Sequence, residues 1–448
     1  MCSRNSSSDI VPEVQQLNLI GHDCRKCNVK ARVVLQTKFP YCRECFLEYF
    51  KHKFRSTLGK SKIMKHGDKI LVCFSGSASS VCLIDLIRDS MNDANKKKMS
   101  FTINVLYIDE CAAFITNNQP NVTEIKDILA PYNFKVFYSD LGTFFAKDLD
   151  FETHSHYKNV NNIDLIGELF SKFRSLTSKI DLLVKIRKNI LYKFAEKLGC
   201  QKIFSAETSD HLAANTISNI VLGKGGQLSQ DIGFSDNSLN ELILVRPLQD
   251  CSKKEVSYYN IFNGLKSLST TTFGSLADKY SSIQKLTESF INELQSSFPS
   301  TVLTVRGTGS KLSSANSDQN LECCLCQGKM DERKYSLTAQ QASHISKMVS
   351  NTGPDEFNST VLSPVQNSIT SCKSCSCLQR FSEEEEPFDE LLNLSLCYGC
   401  RLVLKDCESV QALPKAFLAN LREKTQLNNV HNEIKAFLLY YFIYILNK

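Results

Sequence analysis

"ILVCFSGSASSVCLIDLI", Ile70 to Ile87, joins two different patterns across six small residues. Ile70 to Phe74 is a short continuous apolar run, which suits a strand covered on both faces. After Ser75-Gly76-Ser77-Ala78-Ser79-Ser80 the apolar residues return at helical spacing. A strand, a Ser/Gly turn and a helix N-terminus are the parts of a phosphate cradle, because unpaired N–H groups and the helix dipole both favour an anion there. The turn holds one glycine, no acidic residue and no lysine, so it is not a Walker-type loop.

Working outward, short apolar runs alternate with amphipathic stretches from Lys69 to about Leu248. Strands are expected at Ile70–Phe74, Thr102–Ile108, Lys135–Tyr138, Lys202–Ser205 and Leu242–Val245. Helices are expected at Ser79–Met91, Val122–Leu129, Asp181–Leu198 and His211–Leu222. Alternation of this kind predicts an α/β fold, a parallel sheet with helices on both faces. At 448 residues the chain is long for one core. The division expected is a disordered stretch over 1–20, an N-terminal zinc module over 21–60, the α/β domain over 61–265, a helical extension over 266–320, and a C-terminal cysteine module with mobile insertions over 321–448. The longest apolar run, Ala436 to Leu446, is too short to span a bilayer and suits a buried C-terminal element. The first residues lack the apolar core of a signal peptide, so an intracellular chain with no membrane partner is expected.

Nineteen cysteines are many for such a chain, and ten of them form five C-x-x-C pairs near its two ends. In a reducing compartment such pairs favour metal over disulfides. Cys24, Cys27, Cys42 and Cys45 make two knuckles that can close a tetrahedral zinc site, with a β-prone stretch between them. Four cysteines leave no open coordination position, so the site predicts a scaffold and no metal chemistry. Near the other end, Cys323, Cys326, Cys397 and Cys400 are the preferred second set, with Cys372 and Cys375 as the rival pair.

The turn at 75–80 resembles the S-G-G-x-D-S signature of the PP-loop ATP pyrophosphatases, with Ser77 at the second glycine and Ser79 at the aspartate. "VLYIDE" (Val105–Glu110), "IFSAETSDHLAANTISNIVLGKGG" (Ile203–Gly226) and "LVRPLQDCSKKEVSYY" (Leu244–Tyr259) resemble later segments of that family, in its order. Together with "FPSTVLTVRGTGSKL" and the "LCYGC" ending, the order is similar to the tRNA 2-thiolation proteins, and within them to the divergent cytoplasmic tRNA 2-thiolation protein 2 family.

That resemblance implies work on the wobble uridine (position 34) of lysine, glutamate and glutamine tRNAs, in the cytoplasm. The implied partners are a catalytic PP-loop paralogue in a heterodimer, the tRNA, and a ubiquitin-related sulfur carrier. Catalytic relatives carry a C-x-x-C pair after the second strand, for an iron–sulfur cluster or persulfide sulfur; this chain has none between Cys45 and Cys323. No catalytic residue and no iron–sulfur cluster are therefore expected. Cys73, Cys82, Cys111, Cys200 and Cys251 are read as small apolar packing. A degenerate nucleotide site at Ser75, Gly76, Ser77 and Ser80 leaves residual ATP binding open. The alternatives are an autonomous ATP-dependent adenylating sulfurtransferase and a zinc-ribbon RNA-binding scaffold. For tRNA contact, Arg25 and Lys26 in the N-terminal module and Lys185 and Lys188, on the side of a helix opposite Leu183, Ile186 and Ile190, are the candidates.

Overall fold

The computed structural model describes residues 22–36, 38–92, 101–114, 122–146, 149, 160–237, 242–268, 273, 278, 280–312, 322–328, 330, 395–407 and 413–425. The expectations for residues 1–20, for Cys372 and Cys375, for the insertions between 331 and 394 and for Ala436–Leu446 lie outside them.

Two three-residue strands, β1 (Val33–Leu35) and β2 (Phe39–Tyr41), pair as an antiparallel hairpin between the first two cysteine knuckles. A long helix, α1 (Arg43–Ser61), leads from there into the main sheet. Its buried residues Phe46, Phe50, Phe54 and Leu58 recur every fourth position, which turns one stripe of the helix to the core. The strands that follow are β3 (Lys69–Phe74), β4 (Thr102–Asp109), β5 (Lys135–Asp140), β6 (Lys202–Phe204), β7 (Ser235–Asp236) and β8 (Ile243–Val245).

The sheet order is β5-β4-β3-β6-β8-β7. All neighbours are parallel except β7, which runs antiparallel to β8 at the edge. Chain order runs outward to one side of β3 and then restarts on the other side with β6. A crevice therefore opens beyond the carboxyl ends of β3 and β6, where α/β sheets bind ligands. The turn at 75–80 stands at that point.

The connecting helices are α2 (Ala78–Asn92), α3 (Val122–Leu129), α4 (Val160–Ser171), α5 (Leu176–Lys197), α6 (Ser209–Val221), α7 (Leu228–Ile232) and α8 (Lys253–Asn263). Helices α1, α2 and α8 cover the sheet face that carries Ile70, Val72 and Phe74. Helix α5 packs on β3 and β6, and strand alternation turns Leu71 and Cys73 to that opposite face. Beyond the sheet, α9 (Ile283–Ser297) and α10 (Pro299–Gly309) pack on α6 through Ala213, Ala214, Ile291 and Val302. A further helix, α11 (Tyr398–Lys405), starts at the second cysteine set, and residues 415–425 are helical as well. No helix among the described residues is long and apolar enough to cross a membrane.

All five expected strands and all four expected helices are present, with ends shifted by at most five residues. The edge strand β7 was not expected, because two residues are too few to show any alternation.

Candidate nucleotide cradle and cysteine centres

Strand β3 ends at the buried Phe74, and Gly76 follows with φ of 79°. That left-handed conformation needs glycine, and a Cβ there would also lie 3.1 Å from Leu268 Cδ1. The Leu268 N–H donates to Gly76 O at 2.8 Å, and Asn260 Nδ2 on α8 donates to Ala78 O at 2.8 Å. The turn is thus clamped from the side of α8 and the segment after it. Its hydroxyls bond chiefly to one another: Ser75 Oγ to Ser77 Oγ at 3.0 Å and to Ser80 Oγ at 3.5 Å, with Ser80 Oγ donating to Ser77 O at 2.9 Å. Ser79 sits half-buried in the first turn of α2 and brings no charge.

Two acids just past the neighbouring strands are held in ion pairs. Glu110, one residue past β4, accepts from Arg187 on α5 through both oxygens, at 2.5 and 2.9 Å. Glu207, past β6, accepts from Arg246 Nε at 2.6 Å, and His211 Nδ1 lies 3.6 Å from its other oxygen. Burial alone would raise the Glu207 pKa, but Arg246 and then His211 outweigh it and hold the carboxyl below its ordinary value. Arg246 is nearly fully buried and also donates to Gly233 O at 2.8 Å and Gln230 O at 3.1 Å. Asp210, the acid of the Ile203–Gly226 segment, accepts the Lys253 N–H at the start of α8 with Oδ2, while its buried Oδ1 has no partner among the described residues. Burial keeps its pKa above the usual carboxylate range. These four charged residues, Glu110, Arg187, Glu207 and Arg246, were not singled out from the sequence. The signal was there: each acid follows an apolar strand run directly or by three residues.

The lone thiols of this region are not activated. Burial pushes Cys73 up to about 11, and burial with the Asp109 carboxylate pushes Cys111 up to about 12. Cys82, Cys200 and Cys251 are buried packing residues, as their spacing implied.

The paired cysteines behave differently. The sulfurs of Cys24, Cys27, Cys42 and Cys45 lie within 4.8 Å of one another, and so do those of Cys323, Cys326, Cys397 and Cys400. Four thiolates at zinc bond lengths stand roughly 3.8 Å apart in a tetrahedron, so both sets fit a closed four-sulfur metal site. The two are built alike. Cys24 N donates to Val29 O at 2.7 Å, and Cys323 N to Gly328 O at 2.9 Å. Asn28 and Gln327 both take φ of 58°, one residue after each knuckle. Cys42 then caps α1, which carries Cys45, and Cys397 caps α11, which carries Cys400. They differ in exposure, since Cys27 is exposed while the whole second set is buried.

Around the first set, Arg25 lies over the Phe39 ring at 4.7 Å, and Arg25, Lys26, Lys30, Arg32 and Lys38 are all exposed. None of the five has an ion pair among the described residues. The basic side expected of α5 is not a solvent face. Lys188 Nζ is bonded at 2.7 Å to Asp236, whose side chain is fully buried, and Lys185 is half-buried beside the second cysteine set. The sequence periodicity placed both lysines opposite the apolar stripe, but β7 and the C-terminal module cover that side.

A family model described as cytoplasmic tRNA 2-thiolation protein 2 matches residues 282–402, from α9 to the second cysteine set. The protein of that name from Aedes aegypti is 31% identical, over 86% of this chain and 91% of its own. That from Xenopus tropicalis is 29% identical, over 96% and 97%. Among solved structures, the U34-tRNA thiolase NcsA from Methanococcus maripaludis with its 4Fe-4S cluster superposes with a TM-score of 0.51 at 15% identity, covering 75% of this chain and 98% of its own. At that identity the likeness speaks for the fold, the PP-loop-like sheet derived above. Over nearly its whole length, this chain belongs to the cytoplasmic tRNA 2-thiolation protein 2 family.

Proposed function

We propose that this chain is the non-catalytic subunit of a cytoplasmic complex that thiolates the wobble uridine of lysine, glutamate and glutamine tRNAs. The observation that carries the reading is the strand-end crevice. The turn has no acid, its hydroxyls are engaged with one another, and Glu110 and Glu207 are each neutralised by an arginine. A triphosphate with its Mg2+ needs free carboxylates and a bare backbone there. With the turn lacking its acid, Glu110 and Glu207 neutralised, and Cys73 and Cys111 held as neutral thiols, adenylation and sulfur transfer fall to a catalytic PP-loop paralogue bound as a heterodimer. The sulfur arrives from a ubiquitin-related carrier protein.

The N-terminal module, over 21–60, supplies tRNA contact through Arg25, Lys26 and their exposed basic neighbours, because phosphate neutralisation gives most sequence-independent affinity. The residues of both cysteine sets fit zinc: soft thiolates, four in number, with no open position, so that the ion supplies folding energy and no chemistry. The crevice retains at most weak nucleotide affinity through Ser75, Gly76, Ser77 and Ser80.

The test is 2-thiouridine content of the three tRNAs in cells depleted of the protein, with co-purification of its partners. Loss of 2-thiouridine, restored by the chain and by its Ser75→Ala variant alike, supports the reading. Unchanged 2-thiouridine ends it, and pyrophosphate release by the purified chain alone would make it an autonomous enzyme.

A further inference from the structure

The side of α5 first read as an RNA face is a rail for the second cysteine set. Ser175, which caps α5, donates to Asp406 at the end of α11, from N at 2.8 Å and from Oγ at 3.0 Å. Asp181 lies a turn and a half further and takes the Lys224 ammonium. Asn189 donates to Leu325 O at 2.7 Å, inside the Cys323–Cys326 knuckle, and accepts from Lys424 Nζ at 2.7 Å. Lys185 stands between Asp181 and Asn189 at helical four-residue spacing, so it shares their face. It lies within electrostatic reach of Cys400, Cys326 and Cys397. From the loop after α6, Gln227 Oε1 accepts from the Cys326 thiol at 3.9 Å and the Cys397 thiol at 4.0 Å, so the side-chain amide borders both sulfurs.

A divalent ion held by four thiolates carries a net charge of −2. Here that charge is enclosed, since all four cysteines are buried. An enclosed charge is costly unless a counter-charge or hydrogen-bond donors meet it. Asp181 is paired with Lys224 and also faces Lys185; Lys185 in turn faces Cys400, Cys326 and Cys397, while Lys424 approaches from the side of Cys323 and Cys326. The first cysteine set is more open to water, through the exposed Cys27.

We propose that Lys185, assisted by the Gln227 amide, is the positioning cation of the second metal centre. Metal retention at Cys323, Cys326, Cys397 and Cys400 then depends on the α/β domain as well as on the cysteine module. The inference rests on the metal reading of the two cysteine sets. With a tetrathiolate centre in place, the Gln227 amide turns its N–H groups to the sulfurs and Lys185 offsets one of the two negative charges. Outer groups of this kind are worth about 10–100-fold in metal affinity.

The experiment uses the full-length zinc-loaded chain and follows zinc release to a chromogenic chelator. Wild type should lose zinc in two phases, the faster from the set with the exposed Cys27. Lys185→Met should accelerate the slower phase about 10–100-fold and leave the faster one unchanged, while Lys185→Arg, which keeps the charge, stays near wild type. Co2+ loaded in place of zinc gives a second readout, with weakened sulfur charge-transfer absorption for one ion of two in Lys185→Met. Should Lys185→Met fail to fold, Gln227→Ala is measured instead and should accelerate the same phase by a smaller factor. Unchanged release in the variant measured, equal acceleration of both phases, or an arginine variant as leaky as the methionine one would overturn the proposal. A wild-type chain that binds no zinc would overturn the metal reading itself, a result distinct from the others.

Discussion

Replacing Arg246 by Met tests whether the strand-end acids are held as ion pairs. The guanidinium makes three bonds, one to Glu207 and two to the carbonyls of Gly233 and Gln230, from a position that is 5% exposed. Methionine keeps the bulk but leaves two carbonyls without this donor and Glu207 without its paired guanidinium, with His211 and Ser205 still beside it. Removing one member of a buried pair costs about 3–5 kcal/mol. The pH dependence separates this cause from simple mispacking. In the native chain the folded pKa of Glu207 lies below its ordinary 4.5. Its contribution to stability is therefore complete above the unfolded value and is lost as pH falls through the folded one. Without Arg246, burial dominates and the folded pKa rises above the unfolded value. The penalty of the substitution is then greatest near neutral pH and shrinks as the carboxyl takes up a proton on the acid side. Urea unfolding of the full chain, followed by circular dichroism at pH 7 and pH 5, measures it. Adding Glu207→Gln to the variant should recover most of the loss at pH 7. A loss equal at both pH values, with no recovery in the double variant, would refute the ion-pair account.

Three further outcomes are expected. Ser77→Gly with Ser79→Asp restores the bare backbone and the carboxylate of the cradle and should tighten ATP-Mg2+ binding in a calorimetric titration; no gain would mean that the clamping by Leu268 and the strand-end ion pairs govern the site. Arg25→Ala and Lys26→Ala should each weaken tRNA binding about equally across sequences and lower the salt slope by roughly one, by filter binding at several salt concentrations. Lys202→Met should destabilise by about 3–5 kcal/mol, because Lys202 and Asp68 form a 2.5 Å pair with side chains only 5% and 9% exposed. Its combination with Asp68→Leu should cost far less in the same denaturation assay.

The sheet was legible because β3 to β6 carry continuous apolar runs, and runs of that kind survive without knowledge of neighbours. The cysteine sets were legible for a different reason: spacing alone fixes a knuckle, and the matched φ at Asn28 and Gln327 is what that spacing requires. The fate of Lys185 and Lys188 was not legible. Helical periodicity says which residues share a side, but whether water or another part of the chain covers that side depends on contacts remote in sequence, such as Lys188 with Asp236, 48 residues on, and Asn189 with Leu325, 136 residues on. The pairing of Glu110 with Arg187 has the same origin, the partners being 77 positions apart. Each residue alone reads as an ordinary surface charge, and only the fold shows that they cancel.

Helix α5 gives this arrangement a mechanical character. Arg187, which holds the rim of the crevice, and Lys185, which faces the second sulfur cluster, are two residues apart on one helix of 22 residues. A helix behaves as a stiff rod over such a length, so neither contact can shift alone. The crevice and the second cysteine cluster are thus fixed to opposite sides of a common strut, and an error in seating one side is transmitted to the other as misalignment.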